Sequence, residues 1–495
     1  MKPGAPLGRW PGWGGAALMV LALACGGGRP APLQVVLVAP AEAMPVPGSR
    51  VVFQARTQGG EAPSFQWLRN GLSIPGATRA TLVLAPVSIL DAGSYQVQVS
   101  DGSTRLASAP FDLQPADAAW VVTRSADGGP GSLREALTQA NAASGRNGIQ
   151  FALGASESVR LTLLSPLPAI TGQVCILGPD TGTLTLDGGG ACRPLFLDGG
   201  TLVLDHFTVA HGLGKGGDGL GGGGGGAGMG GGLFMNSGSL DLHRMTFLGN
   251  RAVGGSSLAG GDGEKGGGGG FGGDSPGVGG QGADGGLLGG SGGLGWLDGG
   301  GRGGGPATGG SGGGGGAAAR GGDSEVGGLG DFGGGGGFSV GPLGIGGDSS
   351  FGGGGGGSGG YLDGVLLPGA GGGASDFFGG DGGRGDGVLP GRGGGGAGLG
   401  GALFLRAGTL TLYQCQFTDN HALPGSGDAT GDDLQGLAEG KGGAVFIYPE
   451  GSALLGPLRA QSYALNTAAN AASSGGLDTD DYYVSQYSFP AGRLE

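Results

Sequence analysis

Residues 401–420 read GALFLRAGTLTLYQCQFTDN, and residues 231–250 read GGLFMNSGSLDLHRMTFLGN. A third version, PLFLDGGTLVLDHFTVAHG, occupies residues 194–212. Aligned, the three place Phe196, Phe234 and Phe404 in one column, then Leu202, Leu240 and Leu410, then Leu204, Leu242 and Leu412. Phe207, Met245 and Cys415 follow, and after them Val209, Phe247 and Phe417. Between the apolar columns stand small or polar residues such as Thr201, Ser239 and Thr409. Period-two alternation of this kind marks strands with one buried face. A unit that repeats with an apolar face it cannot bury alone implies stacked turns of a solenoid, for which a parallel β-helix is the natural solution. The alternation slips by one residue between Leu204 and Phe207, which predicts a bend from one sheet to the next. Asn250 and Asn420 close the phrase, where Asn suits the left-handed backbone of a tight corner. TLTLDG at 183–188 belongs to an earlier turn. A weaker copy starts at Gly442 as GGAVFIYPEGSALL, with one extra residue before Ser452.

Between the second and third phrases lies a tract dominated by glycine, which makes up 136 of the chain's 495 residues. The chain leaves the solenoid after the same corner each time: 213–230, then 251–400, then 422–442. The middle excursion is thus one greatly lengthened loop, which the slow logarithmic growth of loop-closure entropy permits. Two states are open to it: a solvated brush, or packed extended polyglycine strands anchored by apolar residues such as Phe271, Trp296, Phe332, Phe338, Phe351 and Phe377. No Gly-X-Y period exists, so a collagen helix is excluded. Aspartates at irregular spacing (Asp262, Asp274, Asp284, Asp298, Asp323, Asp348, Asp381) do not form a calcium-binding nonapeptide repeat. No cofactor is expected, and calcium has no clustered ligands to support it.

The first 32 residues follow a different logic. Lys2 and Arg9 precede a short apolar run, Ala16–Ala24, and then Cys25. This run is too short to span a bilayer and has the layout of a secretory signal. Leu21-Ala22-Leu23-Ala24-Cys25-Gly26 resembles a bacterial lipobox, which implies a signal over 1–25, lipidation of Cys25 and a linker over 26–32. Residues 33–115 change to short alternating runs with Asn70-Gly71 and Asp101-Gly102 turns, an all-β domain. Within it, GSRVVFQA (48–55), Trp67 and LDAGSYQVQV (90–99) resemble the B, C and F strands of an immunoglobulin-like domain, Tyr95 matching its tyrosine corner. That family's disulfide positions fall on Ala55 and Val97.

The solenoid needs a cap on its open apolar end. In VVTRSADGGPGSLREALTQANA, residues 121–142, Ser132 and Glu135 form a capping box, and Leu133, Ala136, Leu137 and Ala140 place one apolar stripe on a helix. This entry, with the strand ending at Phe151, resembles secreted bacterial right-handed parallel β-helix proteins of the pectin-lyase-like superfamily. The domain plan is a cap and first turns over 120–250, a Gly-rich insertion over 251–400, C-terminal turns over 401–480 and a tail over 481–495. The expected fold class is all-β: an immunoglobulin-like sandwich, then a right-handed parallel β-helix with a long Gly-rich insertion.

The formal charge of −13 without a Lys/Arg cluster makes nucleic acid an unlikely partner. Cys175, Cys192 and Cys415 make no CxxC or Cys/His cluster, so zinc and redox motifs are absent. Cys175 and Cys192 are a candidate disulfide pair in an oxidising compartment, against two buried thiols. Asp205 stands over His243 and Tyr413, and His206 over Arg244 and Gln414. Asp205 with His243 is acid/base-capable, but a solvated surface ion pair explains it without a second carboxylate. Val203, Asp241 and Thr411 add one carboxylate only. Arg384-Gly385-Asp386 is a chance outcome of a Gly/Asp/Arg-rich tract, and the Thr-x-Thr echoes of ice-binding helices (183–185, 409–411) are interrupted by Val203 and Asp241. The sequence therefore points to a non-enzymatic surface protein, structural or adhesive, lipid-anchored at the cell exterior or outer membrane and binding glycan or envelope components. A polysaccharide lyase or glycoside hydrolase on the same helix is the rival, and no residue is assigned a catalytic role.

Overall fold

The structure is a computed structural model. It describes residues 33–38, 45, 50–59, 63–85, 87, 91–101, 104–153, 158–179, 182–258, 268–270, 329–330, 332–339, 345–358, 360–362, 365–367, 372–384, 391–427, 437–448, 452–455, 461–469 and 478–484. The signal segment, Cys25, the linker and the Gly385-Asp386 half of the RGD tripeptide lie outside the described residues. The protein is nearly all β and divides into two units, a smaller N-terminal one and a larger one that continues from Leu113.

The N-terminal unit holds two antiparallel sheets. One pairs Gln34–Val38 and Thr81–Leu84 with Val51–Gln58; the other orders Leu72–Ser73, Ser64–Arg69, Gly93–Ser100 and Arg105–Ala107. Asn70 and Gly71 both take positive φ (52° and 79°), as a two-residue hairpin turn whose twist matches its strands requires. Trp67, Tyr95 and Val97 are fully buried and Ala55 nearly so. Phe53 stacks on Tyr95 at 4.8 Å between centroids and lies 5.9 Å from Trp67. Apolar packing thus occupies the place of a bridging disulfide, and the unit is immunoglobulin-like in this geometry.

In the larger unit the one helix among the described residues, Leu133–Ala142, starts as expected. Ser132 Oγ accepts from the Glu135 amide, and Leu133, Ala136, Leu137 and Ala140 form its buried stripe. The return half of the cap differs by one residue, because the Glu135 carboxylate accepts from Gly131 N–H and not from Ser132.

The repeated phrases lie side by side in parallel. Asp205 faces His243 and Leu202 faces Leu240, the 38-residue shift, while Leu240 faces Leu410 and Phe234 faces Phe404, the 170-residue shift. Each turn contributes to successive sheets. Leu195–Asp205, Leu233–His243, and Leu403–Leu405 with Gly408–Tyr413 lie in the first sheet. Thr208–Ala210, Thr246–Leu248 and Gln416–Thr418 lie in the second, and Leu213–Lys215, Arg251–Val253 and His421–Leu423 in the third. After each excursion the chain returns through a fourth, Gly228–Met229, Gly398–Leu399 and Gly440–Lys441, also parallel. TLTLD at 183–187 belongs to the second sheet, paired with Thr208–Ala210. In the weaker copy Phe446 faces Phe404 but Ser452 faces Gly408, so the insertion before Ser452 is two residues where the sequence alignment placed one.

Three departures from simple alternation have local causes. The phase slip after Leu204 is a left-handed residue: His206, Arg244 and Gln414 occupy one column with φ of 62°, 50° and 53°. Near the start of the strand, Gly199 and Gly200 (φ 87° and 72°) make a bulge that shifts the register. As a result Leu195 and Leu197 join Leu202 and Leu204 in the inner core, while Phe196 turns to the opposite side. The second corner corrects the expectation for asparagine. Its left-handed column is His211, Gly249, Asp419 and Leu465 (φ 46°, 64°, 56° and 58°), each one residue before the position expected. The asparagines that follow are fully or nearly buried and serve as hydrogen-bonding partners between turns.

The outward Phe column is a continuous aromatic stack: Phe196, Phe234, Phe404, Phe446 and Tyr483, with centroids 5.4, 5.1, 5.1 and 4.8 Å apart. Ala227, Met229, Ala397 and Leu399 of the returning strands cover it, together with Phe332 and Phe351 from the Gly tract. The described glycine segments are packed, which decides against the brush for them. Consecutive amides of Gly224, Gly225 and Gly226 donate to the carbonyls of Gly336, Gly394 and Gly217; those of Gly354, Gly355 and Gly356 donate to Gly225, Gly380 and Gly347. Three successive N–H groups aimed at three different segments require a turn of about 120° per residue, the threefold geometry of polyproline II. The strands therefore bond in an array and not in a flat sheet. Only glycine permits the spacing: a Cβ on Gly354 would lie 2.1 Å from the Gly394 carbonyl oxygen, and one on Gly396 1.9 Å from that of Gly226.

Candidate functional site

Asp205 ends its strand on the face opposite Leu204, and Leu177 and His243 are its neighbours in register. The expected solvated pair with His243 is not what forms. Asp205 is 1% exposed, and both its oxygens accept from Arg244, Nε to Oδ1 at 2.9 Å and Nη2 to Oδ2 at 2.5 Å. The left-handed corner at Arg244 turns its side chain diagonally back over the previous turn, so the ion pair crosses between the two columns that sequence alignment kept apart. A bidentate guanidinium–carboxylate pair of this kind fixes both groups.

His243 is left to the same face without that partner. Its Nδ1 is buried and accepts or donates no hydrogen bond. Burial lowers its pKa, opposed by Asp205 and Asp241 and assisted by Arg244, so the imidazole is neutral at pH 7. The Tyr413 ring lies 6.0 Å away at 46° and is 48% exposed. Asp241 faces Val203 and Thr411 as expected.

A second carboxylate, Asp187, escaped the sequence reading. It is 4% exposed and accepts from Arg160, from the Gly189 amide at 2.9 Å and makes a 3.1 Å contact with His211 Nδ1. Burial would raise its pKa, but the Gly189 amide, His211 and Arg160 outweigh that and hold it below the usual carboxylate value. Asp187 pairs in register with Ala210, which places His211 on the corner beside it.

Asparagine forms the third structural device. Asn420 Oδ1 accepts from the amide and Nδ2 of Asn250, and Asn466 Oδ1 accepts from those of Asn420. Each Nδ2 also donates to a carbonyl of the preceding turn: Val209, Phe247 and Phe417 respectively. The ladder ends on Asp481, which accepts from Asn466 Nδ2 at 3.0 Å. Asn466 sits in a turn too degenerate in sequence for the repeat to announce it.

The candidate cysteine pair does not form: Cys175 and Cys192, like Cys415, are buried thiols. Alternation along Gln173–Leu177 points Val174 and Ile176 into the core, so Cys175 faces outward with Ala116, Leu177 and Val203, whereas Cys192 lies in the inner core. Opposite sides of a strand layer separate them. Burial pushes the Cys415 thiol up to about 11. Arg193 is another buried charge, donating to the carbonyls of Gly230 and Met229 at 2.8 and 2.6 Å, and burial pulls its pKa down to about 9.

No family model matches the chain, and no curated protein matches it. Solved structures similar to it include a crystal structure of the N-terminal four Ig domains of Dscam1 isoform 4.44, at 23% identity and a TM-score of 0.16 over 17% of this chain and 21% of that one. Three N-terminal domains of the bacteriophage RB49 highly immunogenic outer capsid protein Hoc align at 20% identity and a TM-score of 0.16, over 19% of this chain and 35% of that one. The chain thus spans well under two thirds of either, and likenesses this partial carry no functional argument.

Proposed function

We propose that this is an extracellular, non-enzymatic structural and adhesive protein. Its immunoglobulin-like unit acts as a stalk, and its parallel sheets are the turns of a right-handed parallel β-helix that carries the glycine array on one side. Its ligand is a glycan or another cell-envelope component, and Cys25 supplies a lipid anchor. The observation that carries this reading is how the buried carboxylates are used. Asp205 is spent on Arg244, and Asp187 on Arg160, His211 and the Gly189 amide, so both hold neighbouring turns together and neither is free to exchange protons with a substrate. The glycine array adds a rigid body where a tether would need none of its steric exactness.

The test is binding of the mature chain to a glycan array and to isolated cell envelopes, run beside a depolymerisation assay on acidic polysaccharides. Retention without turnover supports the proposal. Turnover that disappears in Asp205→Ala, in a protein with unchanged far-UV circular dichroism, would overturn it in favour of a polysaccharide lyase or hydrolase. Lipid anchoring is tested separately by radiolabelled palmitate, with incorporation lost in Cys25→Ala.

A further inference from the structure

We propose that the outward face formed by Leu233–His243 and Gly408–Tyr413 is a binding site for neutral pyranosides; this rests on the adhesive reading above. Leu240, Leu242, Leu410 and Leu412 are buried on the inner face. By alternation, Ser239, Asp241 and His243 stand on the outer face, in register with Thr409, Thr411 and Tyr413. The six side chains make a grid of two rows about 4.8 Å apart, with a repeat of about 6.7 Å along each strand. The Ser239 and Thr409 hydroxyls are bonded at 2.8 Å, so that end of the grid is fixed. At the other end Tyr413 exposes nearly half its surface on a strand that is otherwise immobilised on both sides.

The chemistry of the grid is that of a sugar platform. A pyranose ring has an apolar face of C–H groups and a rim of hydroxyls. The Tyr413 ring offers an apolar surface with a polar edge, and Asp241 and Thr411 beside it offer a carboxylate and a hydroxyl for the rim. Most convergent polar groups of a binding site are few and fixed in this way. Charge selects among sugars. Asp241 lies within the grid, and the Arg244 guanidinium is already engaged on both oxygens of Asp205. An anionic sugar would meet Asp241 and a chain of net charge −13 without a free counter-charge in the grid, so the face favours neutral rings.

The experiment is affinity electrophoresis of the mature chain through gels containing dextran, laminarin or galactomannan, with alginate as the anionic polymer. Tyr413→Ala, Tyr413→Phe and Thr185→Ala, the last on the neighbouring sheet, are run alongside after thermal melts show them folded. Expected is retardation by at least one neutral polymer and none by alginate, an affinity about tenfold or more weaker in Tyr413→Ala, and wild-type retardation in the other two variants. Unchanged retardation of Tyr413→Ala overturns the site while leaving adhesion standing, and so does exclusive binding to alginate. Failure to bind any polymer while cell envelopes are still bound likewise removes the pyranoside site alone. Failure of both removes it together with the adhesive reading.

Discussion

Replacing Gly355 by alanine tests whether the glycine tract is an array or merely an accommodating loop. Its φ is outside the left-handed region, so an alanine there is not strained by backbone conformation. The obstacle is a neighbouring strand: the new Cβ would lie 2.0 Å from the Gly373 carbonyl oxygen and 3.0 Å from the Gly382 amide nitrogen. Ordinary contact begins at 3.4 Å, so the Gly373 segment must retreat by more than an ångström. Retreat stretches two bonds now at 2.8 Å, Gly373 N–H to Gly356 and Gly382 N–H to Gly373. Each such bond contributes about 1 kcal/mol net, and forced overpacking adds about 1–3 kcal/mol. Reduced freedom of the unfolded chain returns about 0.4–1 kcal/mol, so the net destabilisation is about 2–4 kcal/mol. Gly383 is the matched control. Its Cβ would find the nearest atom, the Arg392 carbonyl oxygen, at 3.4 Å, so Gly383→Ala should be neutral or stabilising by up to about 1 kcal/mol. Guanidinium unfolding together with hydrogen exchange of peptides over 345–358 and 372–384 reads both variants. Equal stability and equal protection for Gly355→Ala and Gly383→Ala would refute the packed array.

Three further outcomes are expected. Asn420→Ala leaves the buried Asn250 amide and the Phe247 carbonyl without the partners they now have, so unfolding should be easier by about 2–5 kcal/mol, whereas Asn236→Ala, which gives up exposed and half-buried bonds to Asp198 and Arg406, should cost under about 1 kcal/mol; denaturant titration compares them. Asp187 has a folded pKa below its ordinary value of 3.8, so the stability it contributes is present above that value and is lost as pH falls through the folded pKa; thermal melts between pH 2 and 5 should show a shallower acid decline in Asp187→Asn. Alkylation in denaturant without reductant, read by mass spectrometry, should modify Cys175, Cys192 and Cys415 alike, and a protected Cys175–Cys192 peptide pair would contradict their placement on opposite faces.

The sequence made the columns legible because parallel turns repeat side-chain type at a fixed shift: Leu202, Leu240 and Leu410 are an alignment and a strand register at once. Corners were less legible. His206, Arg244 and Gln414 all take left-handed φ, yet none is the Gly or Asn by which such positions are usually found, and only the lost residue of phase betrayed them. The same corner concealed the partner of Asp205, since columns compare residues at equal positions and Arg244 reaches across one. Parity failed at Phe196 because Gly199 and Gly200 form a bulge that reads, in sequence, as an ordinary turn. For the glycine tract, brush and array have identical composition; of the apolar residues read as anchors, Phe332, Phe338 and Phe351 are buried, Phe377 is 57% exposed, and Phe271 and Trp296 lie outside the described residues.

Those anchors explain why the array is attached to these turns. A glycine strand gains about 0.5–1.5 kcal/mol net from each backbone hydrogen bond, while ordering each residue costs about 1–2 kcal/mol, and glycine lies at the costly end. Polyglycine packed on itself therefore falls short of stabilising itself, since it has no side chains to bury. The aromatic stack supplies what is missing. Phe332 and Phe351 lie against each other at 5.1 Å and reach Phe404 at 6.4 and 6.2 Å, and Phe351 also meets Phe446 at 6.0 Å. Arg406 places its guanidinium 4.2 Å over the Phe332 ring while bonding Asn236 of the previous turn. Each buried Phe contributes up to about 1.5–3 kcal/mol toward that deficit. The first residues of the Gly strands, Gly333 and Gly352, follow these anchors directly with φ of 77° and 79°, turning the chain from the aromatic wall into the array. The stacked turns thus act as the template on which an otherwise marginal glycine array becomes ordered, and the parallel register that aligns Phe234 with Phe404 is what makes the wall continuous.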